Sequence, residues 1–126
     1  MKIYGIGTDI VSVDRIKRSL KNKNFLKKLY NKREIAKCSK LINSINCYAK
    51  RFAAKEACSK ALGTGISNGI NFNEIIILNE KSGKPFIKLI GNTKKKINSK
   101  FKKKMKISLS LSDEKKYAVA FVTISI

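Results

Sequence analysis

The segment from Cys47 to Leu62, which reads CYAKRFAAKEACSKAL, constrains the fold more than any other part of the chain. It contains neither glycine nor proline, and it is rich in alanine, the residue with the highest helix propensity. Gly63 follows at once, and a glycine just past the last helical residue is a common way for a helix to end. The segment therefore predicts one uninterrupted helix that stops at Gly63-Thr64-Gly65.

Strand-forming runs surround this helix. Residues 2–13 are rich in β-formers and carry Gly5 and Gly7, and glycines inside a strand often mark a close approach by a neighbouring backbone or a ligand. Two further pairs of runs are separated by polar turns and predict β-hairpins. These pairs are 72–78 with 86–90, and 106–111 with 117–126.

Helical spacing of apolar residues predicts three more helices. The first carries Val13, Ile16 and Leu20, and a second begins at Asn31, whose spacing from Glu34 indicates a capping box, and extends to Ile42. The third is the very basic stretch 92–104. The resulting order, β-α-α-α-β-β-α-β-β, predicts an α+β fold in which residues 1–126 form a single domain with a small antiparallel sheet.

The charge of the chain limits the classes of binding partner but does not identify one. There are 29 Lys and Arg residues against 8 Asp and Glu residues, a net charge of +21, while 43% of the residues are hydrophobic, enough for a folded protein. Such a field attracts nucleic acid, anionic membranes, phosphorylated ligands or an acidic protein. Compositional drift toward lysine, asparagine and isoleucine explains the excess equally well at this point.

Cysteine usage and hydropathy bear on the compartment. Cys38, Cys47 and Cys58 cannot all pair, their spacing fits no zinc motif, and the chain contains no histidine. We therefore expect reduced cysteines and a cytoplasmic location. The N-terminal stretch lacks the features of a signal peptide, and no apolar run approaches the ~18–20 residues that would span a bilayer, so no membrane partner is expected.

Two acidic residues lie in apolar surroundings. Asp9 follows the two glycines of the first strand, and Glu56 lies inside the alanine-rich helix. Taken singly, Asp9 could cap a turn, and Glu56 could form an ordinary i,i+4 pair with Lys60. Brought together, the two carboxylates would repel each other unless a hard cation such as Mg²⁺ lay between them.

Groups suited to phosphate binding lie near Glu56 in the sequence. Arg51 and Lys55 share a helical face, Lys60 lies one turn beyond Glu56, and the glycines at 63 and 65 expose backbone amides. Neither GxGxxG nor GxxxxGK[ST] occurs, which argues against the common nucleotide-binding folds.

Together these strings resemble the holo-acyl-carrier-protein synthase family. The matching segments are GIGTDI at 5–10, RFAAKEA at 51–57 continuing into KALGTG at 60–65, and GKP at 83–85. Their order and spacing match over essentially the whole chain. The resemblance implies a small antiparallel sheet wrapped by helices, assembled as a trimer with active sites at subunit interfaces. It also implies Mg²⁺-dependent transfer of phosphopantetheine from coenzyme A to a serine of acyl-carrier protein, in support of fatty acid biosynthesis.

The resemblance also assigns roles to individual residues. Asp9 and Glu56 match magnesium ligands, and Lys60 matches the lysine that contacts the coenzyme A phosphates, so Glu56 and Lys60 are the expected catalytic residues. Residues expected on the coenzyme A side, besides Lys60, are Arg51, Gly63, Thr64, Gly65, Lys84 and Pro85. Arg15 matches a position that docks the carrier protein, and Arg18 and Lys21 would complete a basic face on the same helix.

One position departs from the family pattern. Many members carry a histidine where this chain has Leu111, after Ser108-Leu109-Ser110. A water on the metal or a carboxylate such as Glu56 then becomes the expected proton acceptor. Two other classes of protein compete with this interpretation: a nucleic-acid-binding module, which the charge and the basic helix favour, and an inactive structural subunit. The scarcity of aromatic residues beside basic ones argues against the first, so no nucleic acid partner is expected. The presence of Asp9, Glu56 and Lys60 argues against the second.

Overall fold

The computed structural model describes residues 1–63, 69–102 and 105–126. Its helices and strands confirm the predicted α+β class, and no helix within those residues is long and apolar enough to cross a membrane. In chain order the elements are β1 (Ile3–Ser12), α1 (Val13–Ser19), α2 (Lys23–Leu29), α3 (Lys32–Cys38), α4 (Ser44–Leu62), a 3₁₀ turn (Phe72–Glu74), β2 (Ile75–Asn79), β3 (Pro85–Leu89), α5 (Gly91–Lys100), β4 (Lys106–Asp113) and β5 (Tyr117–Ser125).

The strands form two antiparallel sheets rather than one. A three-stranded sheet has the order β1-β5-β4, and β2 and β3 form a separate two-stranded sheet. Both predicted hairpins are therefore confirmed. Helix α4 lies across β1 and β5, and its alanines at 49, 53, 54 and 57 are fully buried in the core.

The two glycines of β1 allow this strand to touch helix α4. A Cβ atom on Gly5 would lie 1.9 Å from the backbone oxygen of Ala61, and one on Gly7 would lie 1.8 Å from that of Ala57. Because side chains alternate along a strand, Asp9 and Val11 point to the same side as these glycines, toward α4. The close contact thus brings Asp9 to the helix that carries Glu56.

Several predicted boundaries are wrong because caps end helices earlier than apolar spacing suggests. Helix α1 stops at Ser19, where the Leu20 amide donates to the carbonyls of Ile16 and Arg18. Lys21 therefore lies in the following turn and not on the helix. Helix α3 has the predicted capping box at Asn31 and Glu34 but ends at Cys38.

Residues beyond two of these helices also differ from expectation. Leu41 and Ile42, expected on the buried side of α3, are exposed in the connection to α4. The sequence analysis missed α2, which Asn22 caps by accepting from the amides of Asn24 and Phe25. Helix α5 ends at Lys100, and residues 103 and 104 of the predicted basic helix lie outside the described residues.

Lys55 is part of the core, which contradicts its expected role in phosphate binding. Its side chain is fully buried, and Nζ donates to Glu34 Oε1 at 2.8 Å and to the carbonyls of Phe72 and Ile75 at 2.7 and 2.6 Å. Glu34 Oε2 accepts from the Ile77 amide. Burial lowers the pKa of the Lys55 ammonium, while the Glu34 carboxylate opposes that shift. The three ammonium hydrogens thus tie together α3, α4 and the start of β2.

The prediction of reduced cysteines is wrong for two of the three. Cys38 at the end of α3 and Cys47 in the first turn of α4 form a disulfide, with their Cα atoms 5.4 Å apart. The connection between α3 and α4 folds back on itself and brings the two cysteines together. Cys58 is free and fully buried, and burial raises the pKa of its thiol to about 12. The cysteine count therefore no longer argues for a reducing compartment.

Thiol counting should reproduce this arrangement in protein purified without reductant. At pH 8 the native protein should show no reactive thiol toward a disulfide reagent, because the thiolate is the nucleophile and Cys58 is buried and protonated. Unfolding without reductant should release one thiol, and unfolding after reduction should release all three. Three thiols without reductant would contradict the Cys38–Cys47 bond.

Candidate active site

Asp9, Glu56 and Lys60 form a compact group where β1 crosses α4. Lys60 Nζ lies 3.3 Å from Asp9 Oδ1 and 3.0 Å from the Thr8 carbonyl oxygen. The Asp9 side chain is 16% exposed and that of Lys60 is 56% exposed, so the group opens to solvent on the lysine side. Lys60 therefore pairs with Asp9 across the strand–helix contact, and the simple i,i+4 pair with Glu56 is not what the structure describes.

The two carboxylates of this group are close enough to affect each other. The pKa of Glu56 is raised by partial burial and then by the Asp9 carboxylate, and the Lys60 ammonium opposes this shift. The Thr8 and Asp9 oxygens already attract one cation, the Lys60 ammonium. Among the described residues no cluster of three or more His, Cys, Asp or Glu side chains could hold a metal. Two carboxylates suit Mg²⁺, which commonly binds one or two of them and completes its shell with water and substrate phosphates.

A basic groove of about 820 Å³ lies at the other end of α4. Its lining includes Arg51, Lys37, Lys40 and Lys50, together with Gly83 and Pro85 from the β2–β3 turn. The pKa of Lys37 is lowered by partial burial and then by the positive charges of Arg51 and Lys50. Repulsion between these cations means that an anion in the groove would be bound favourably.

Arg51 is the buried cation of this groove, with 4% of its surface exposed. Its Nη1 donates to the carbonyl oxygen and the sulfur of Cys47, and its Nη2 donates to Asn79 Oδ1 at 3.0 Å. Its Nε has no hydrogen-bond partner within the part of the chain that the structure describes. Burial lowers the pKa of the guanidinium, so the protein bears a cost for keeping this charge at the groove.

The acidic group and the groove lie on different sides of α4. Arg51 and Glu56 are five residues apart on one helix, which separates them by about 7.5 Å along the axis and roughly 140° around it. Lys60 lies roughly opposite Arg51 by the same geometry. The structure therefore brings Asp9, Glu56 and Lys60 together, and separately brings Arg51 together with Pro85.

The remaining predicted site residues are placed as follows. Gly63 ends α4 with a φ of +75°, as the sequence predicts, and Lys84 is exposed in the β2–β3 turn. Thr64 and Gly65 lie outside the described residues. Leu111, at the position where many family members carry histidine, lines the groove that contains Arg51. Arg15 and Arg18 are exposed on α1, directly after the strand that carries Asp9.

Several polar residues of the groove were not predicted from the sequence, and two of them, Lys37 and Asn79, contact each other. Lys37 Nζ donates to Asn79 Oδ1 at 2.5 Å. In the sequence, Lys37 is one lysine among many, and Asn79 looks like an ordinary turn residue before Glu80. Only the folding of α3 against β2 shows that they meet.

Comparison with known proteins identifies the family of the chain. The family model of the 4′-phosphopantetheinyl transferase superfamily matches residues 5–122. The holo-[acyl-carrier-protein] synthase of Pelagibacter ubique is 49% identical over 123 residues, which cover 97% of this chain and 96% of that protein. The crystal structure of the Neisseria meningitidis holo-[acyl-carrier-protein] synthase superimposes with a TM-score of 0.88 at 38% identity, covering 99% of this chain and 100% of the other. The crystal structure of the Helicobacter pylori holo-[acyl-carrier-protein] synthase in complex with coenzyme A superimposes with a TM-score of 0.80 at 33% identity. The match covers 95% of this chain and 99% of the other.

The small α+β fold of this chain is thus shared, over nearly its whole length, with enzymes named holo-[acyl-carrier-protein] synthase. The chain belongs to the 4′-phosphopantetheinyl transferase superfamily. Within that superfamily it is an enzyme of the holo-[acyl-carrier-protein] synthase type, as the identities over nearly its whole length show.

Proposed function

We propose that residues 1–126 act as one phosphopantetheinyl transferase domain that converts apo-acyl-carrier protein to its holo form for fatty acid biosynthesis. The donor is coenzyme A, and the other product is adenosine 3′,5′-bisphosphate. The observation that carries the proposal is the meeting of Asp9, Glu56 and Lys60 at the β1–α4 contact, in a chain of this family. Relatives bound to coenzyme A support the choice of donor.

Asp9 and Glu56 would hold one Mg²⁺ together with the coenzyme A pyrophosphate. When bound, the ion would neutralise phosphate charge as the leaving group departs. The two carboxylates fit this role because their mutual repulsion is relieved by a cation between them. The glycine contacts of β1 hold Asp9 at a fixed distance from α4, so the ligands would be preorganised.

Lys60 would bind the pyrophosphate directly and stabilise the charge that develops on it. The hydroxyl of the carrier serine attacks the phosphorus that bears pantetheine, and a new serine oxygen–phosphorus bond forms. The bond to the bridging pyrophosphate oxygen breaks, and adenosine 3′,5′-bisphosphate leaves with that electron pair. With no histidine in the chain, the Glu56 carboxylate is the proposed acceptor of the serine proton.

The basic groove would hold the nucleotide end of coenzyme A. Arg51, Lys84 and Pro85 would belong to this side of the site. Gly63, Thr64 and Gly65 follow Lys60 in the chain and would contact coenzyme A from the side of the acidic group. Because Arg51 and Lys60 lie on roughly opposite sides of α4, one copy of the chain does not present both to a single cleft. We therefore propose that the acidic group of one copy faces the groove of the next, in a trimer.

The test of the activity is a mass measurement. Apo-acyl-carrier protein is incubated with the enzyme, coenzyme A and Mg²⁺, and the carrier should gain the mass of one phosphopantetheine on its serine. A chelator should stop the reaction, and added Mg²⁺ should restore it. An unchanged carrier mass under these conditions would reject the proposed function.

The surface for assembly lies on the outward side of the three-stranded sheet. We define the outer sheet face as Ile6, Ile10, Tyr117, Val119 and Phe121, all of which are exposed. Strand register places them on one side, because Ile10 lies opposite Val119 and Phe121 lies opposite Thr8. Several other apolar strand residues serve the core of one chain instead: Ile76, Ile77 and Ile124 are buried, and Ile87, Leu109 and Leu111 pack against the core.

Light scattering should show a trimer that depends on the outer sheet face. Phe121→Lys should dissociate the protein to monomers, because it puts like charges into an apolar contact. Ile126→Lys is the matched control, since Ile126 is 42% exposed and follows β5 with its side chain on the other side of the sheet. A wild-type protein that scatters as a monomer at working concentrations would contradict the assembly.

Carrier docking should depend on the basic side of α1. Arg15→Glu should raise KM for the carrier about five- to tenfold and leave KM for coenzyme A little changed, because a reversed charge repels an acidic partner. Catalytic efficiency of the wild type should fall with added salt. Lys17 is also exposed but lies roughly opposite Arg15 around α1, so Lys17→Glu makes the same charge change elsewhere and should have little effect. Equal effects of the two variants would mean that the positive charge is compositional drift.

A further inference from the structure

Asn79 connects three separate parts of the groove. Its Oδ1 accepts from Lys37 Nζ of α3 at 2.5 Å and from Arg51 Nη2 of α4 at 3.0 Å. Its Nδ2 donates to the carbonyl oxygen of Gly83 at 2.9 Å, inside the β2–β3 turn. One side chain at the end of β2 therefore fixes two cations and a loop relative to one another.

The chemistry of the amide suits this position better than a carboxylate would. Arg51 and Lys37 both donate to one oxygen, so their positive charges repel each other. The pKa of Lys37 is lowered by partial burial and then by the charge of Arg51. A neutral oxygen holds the two cations without cancelling their charge, so that the charge stays available to an anionic ligand. Lys50 is different, because its Nζ lies 3.5 Å from the Asp113 carboxylate and is partly neutralised by it.

The amide nitrogen adds a second constraint. By donating to Gly83, Asn79 holds the turn that presents Gly83 and Pro85 to the groove. Gly83 has a φ of +94°, and the turn is closed by hydrogen bonds between Glu80 and Lys84 and between Gly83 and Glu80. The turn and the cations are thus oriented by the same side chain.

We propose that Asn79 is a positioning residue for coenzyme A: it holds Arg51, Lys37 and the β2–β3 turn in the arrangement that binds the anionic donor. This inference rests on the proposed function, because it takes coenzyme A as the ligand of the groove. Asn79 itself does not contact the reacting atoms, so it acts on binding and not on the chemical step.

The test separates binding from chemistry. Asn79→Ala should raise KM for coenzyme A about tenfold, as the loss of one or two hydrogen bonds to charged groups predicts, while kcat stays within about twofold. Asn73→Ala is the matched control, because the Asn73 side chain also makes one hydrogen bond to a distant backbone carbonyl, that of Lys27, outside the groove. It should leave both constants unchanged, even if both variants unfold at a slightly lower temperature.

A double-mutant cycle shows whether Asn79 acts through the cations. In an Arg51→Gln or a Lys37→Ala background, the further change Asn79→Ala should raise KM by less than in the wild type. Lys37 is exposed, so Lys37→Ala keeps the cycle usable if Arg51→Gln does not fold. An increase of the same size in both backgrounds would overturn the proposal.

Asn79→Asp tests the requirement for a neutral oxygen. The aspartate keeps the acceptor for Arg51 and Lys37 but adds a negative charge and loses the donor to Gly83, so KM should rise at least as far as in Asn79→Ala. A KM at the wild-type value would overturn the proposal. Calorimetry measures the binding of coenzyme A to the same variants, and it tests the role of Asn79 even if the wild-type enzyme shows no transfer. An absence of transfer would reject the proposed function and not this inference.

Discussion

Asp9→Asn and Glu56→Gln should each lower kcat about a hundredfold or more, while the protein remains folded. Each substitution removes one negative charge and keeps the shape of the side chain. It should therefore weaken the binding of the cation without disturbing the packing. Transfer to apo-carrier protein, followed by mass spectrometry over a range of Mg²⁺ concentrations, measures the effect. A higher Mg²⁺ concentration should restore part of the rate. The amide oxygen of each variant can still bind the ion, although more weakly, and the new side chain is no larger than the original one.

The stability of Glu56→Gln should move in the opposite direction from its activity. The folded state raises the pKa of Glu56, which means that folding disfavours its charged form. That cost is largest at neutral pH, where Glu56 would be ionised in the unfolded chain, and it disappears as the pH falls and the carboxyl is protonated in both states. Glu56→Gln should therefore unfold at the same temperature as the wild type or a higher one at pH 7 with a chelator present.

A control at a nearby acidic residue completes this experiment. Asp14 is exposed in the first turn of α1, and Asp14→Asn makes the same chemical change as Asp9→Asn without touching the strand–helix contact. It should keep turnover near the wild-type value. If Asp9→Asn or Glu56→Gln also kept near-normal turnover with an unchanged Mg²⁺ dependence, the assignment of the acidic group would be wrong.

Those features that depend on a few neighbouring residues could be predicted from the sequence. Asn31 and Glu34 form the expected capping box, and Gly63 ends α4 in the left-handed region. Asp9 and Glu56 could be paired as a candidate site because each is an acidic residue in apolar surroundings and lies in a motif that resembles the family. The spacing of apolar residues and the capping of helices depend only on residues close together in the chain, so the sequence alone can predict them.

Features that depend on distant segments could not be predicted in this way. Lys55 shares a face with Arg51, as its spacing indicates, but its burial depends on acceptors from α3 and from two backbone carbonyls near β2. The disulfide depends on the path of the chain between α3 and α4. The spacing of Leu41 and Ile42 predicted that this segment would be helical, but α3 ends at Cys38. Asn79 carries no signal until Lys37 and Arg51 are brought to it.

The same distinction applies to the two halves of the candidate site. Arg51 and Glu56 look like one motif because they are five residues apart in the sequence, yet a helix turns them to different sides. The geometry of α4 thus gives two surfaces, although Arg51 lies near Glu56 in the sequence. The proposal that neighbouring copies of the chain unite them is the physical consequence, since a coenzyme A molecule must reach both.

Gly7→Ala should destabilise the protein by about 3 kcal/mol or more, the other large effect we expect. The added methyl group would lie 1.8 Å from the Ala57 carbonyl oxygen, 2.8 Å from its carbon and 2.9 Å from the Ala61 amide nitrogen. These atoms belong to the backbone of α4 and cannot rotate away, so β1 must separate from the helix. Chemical denaturation measures the loss of free energy of unfolding, provided the variant folds well enough to be purified.

Gly63→Ala distinguishes this steric effect from the general cost of replacing glycine. Gly63 has a φ of +75°, and no atom of the described residues beyond its chain neighbours lies within 4 Å of the position of a Cβ atom, so alanine there should cost only about 1–2 kcal/mol through backbone strain. The larger loss in Gly7→Ala would show that contact with α4 is the cause. The same displacement carries Asp9 away from Glu56, so any folded Gly7→Ala protein should also need more Mg²⁺ for half-maximal turnover. A Gly7→Ala protein with wild-type stability and Mg²⁺ dependence would mean that β1 does not lie against α4 as described.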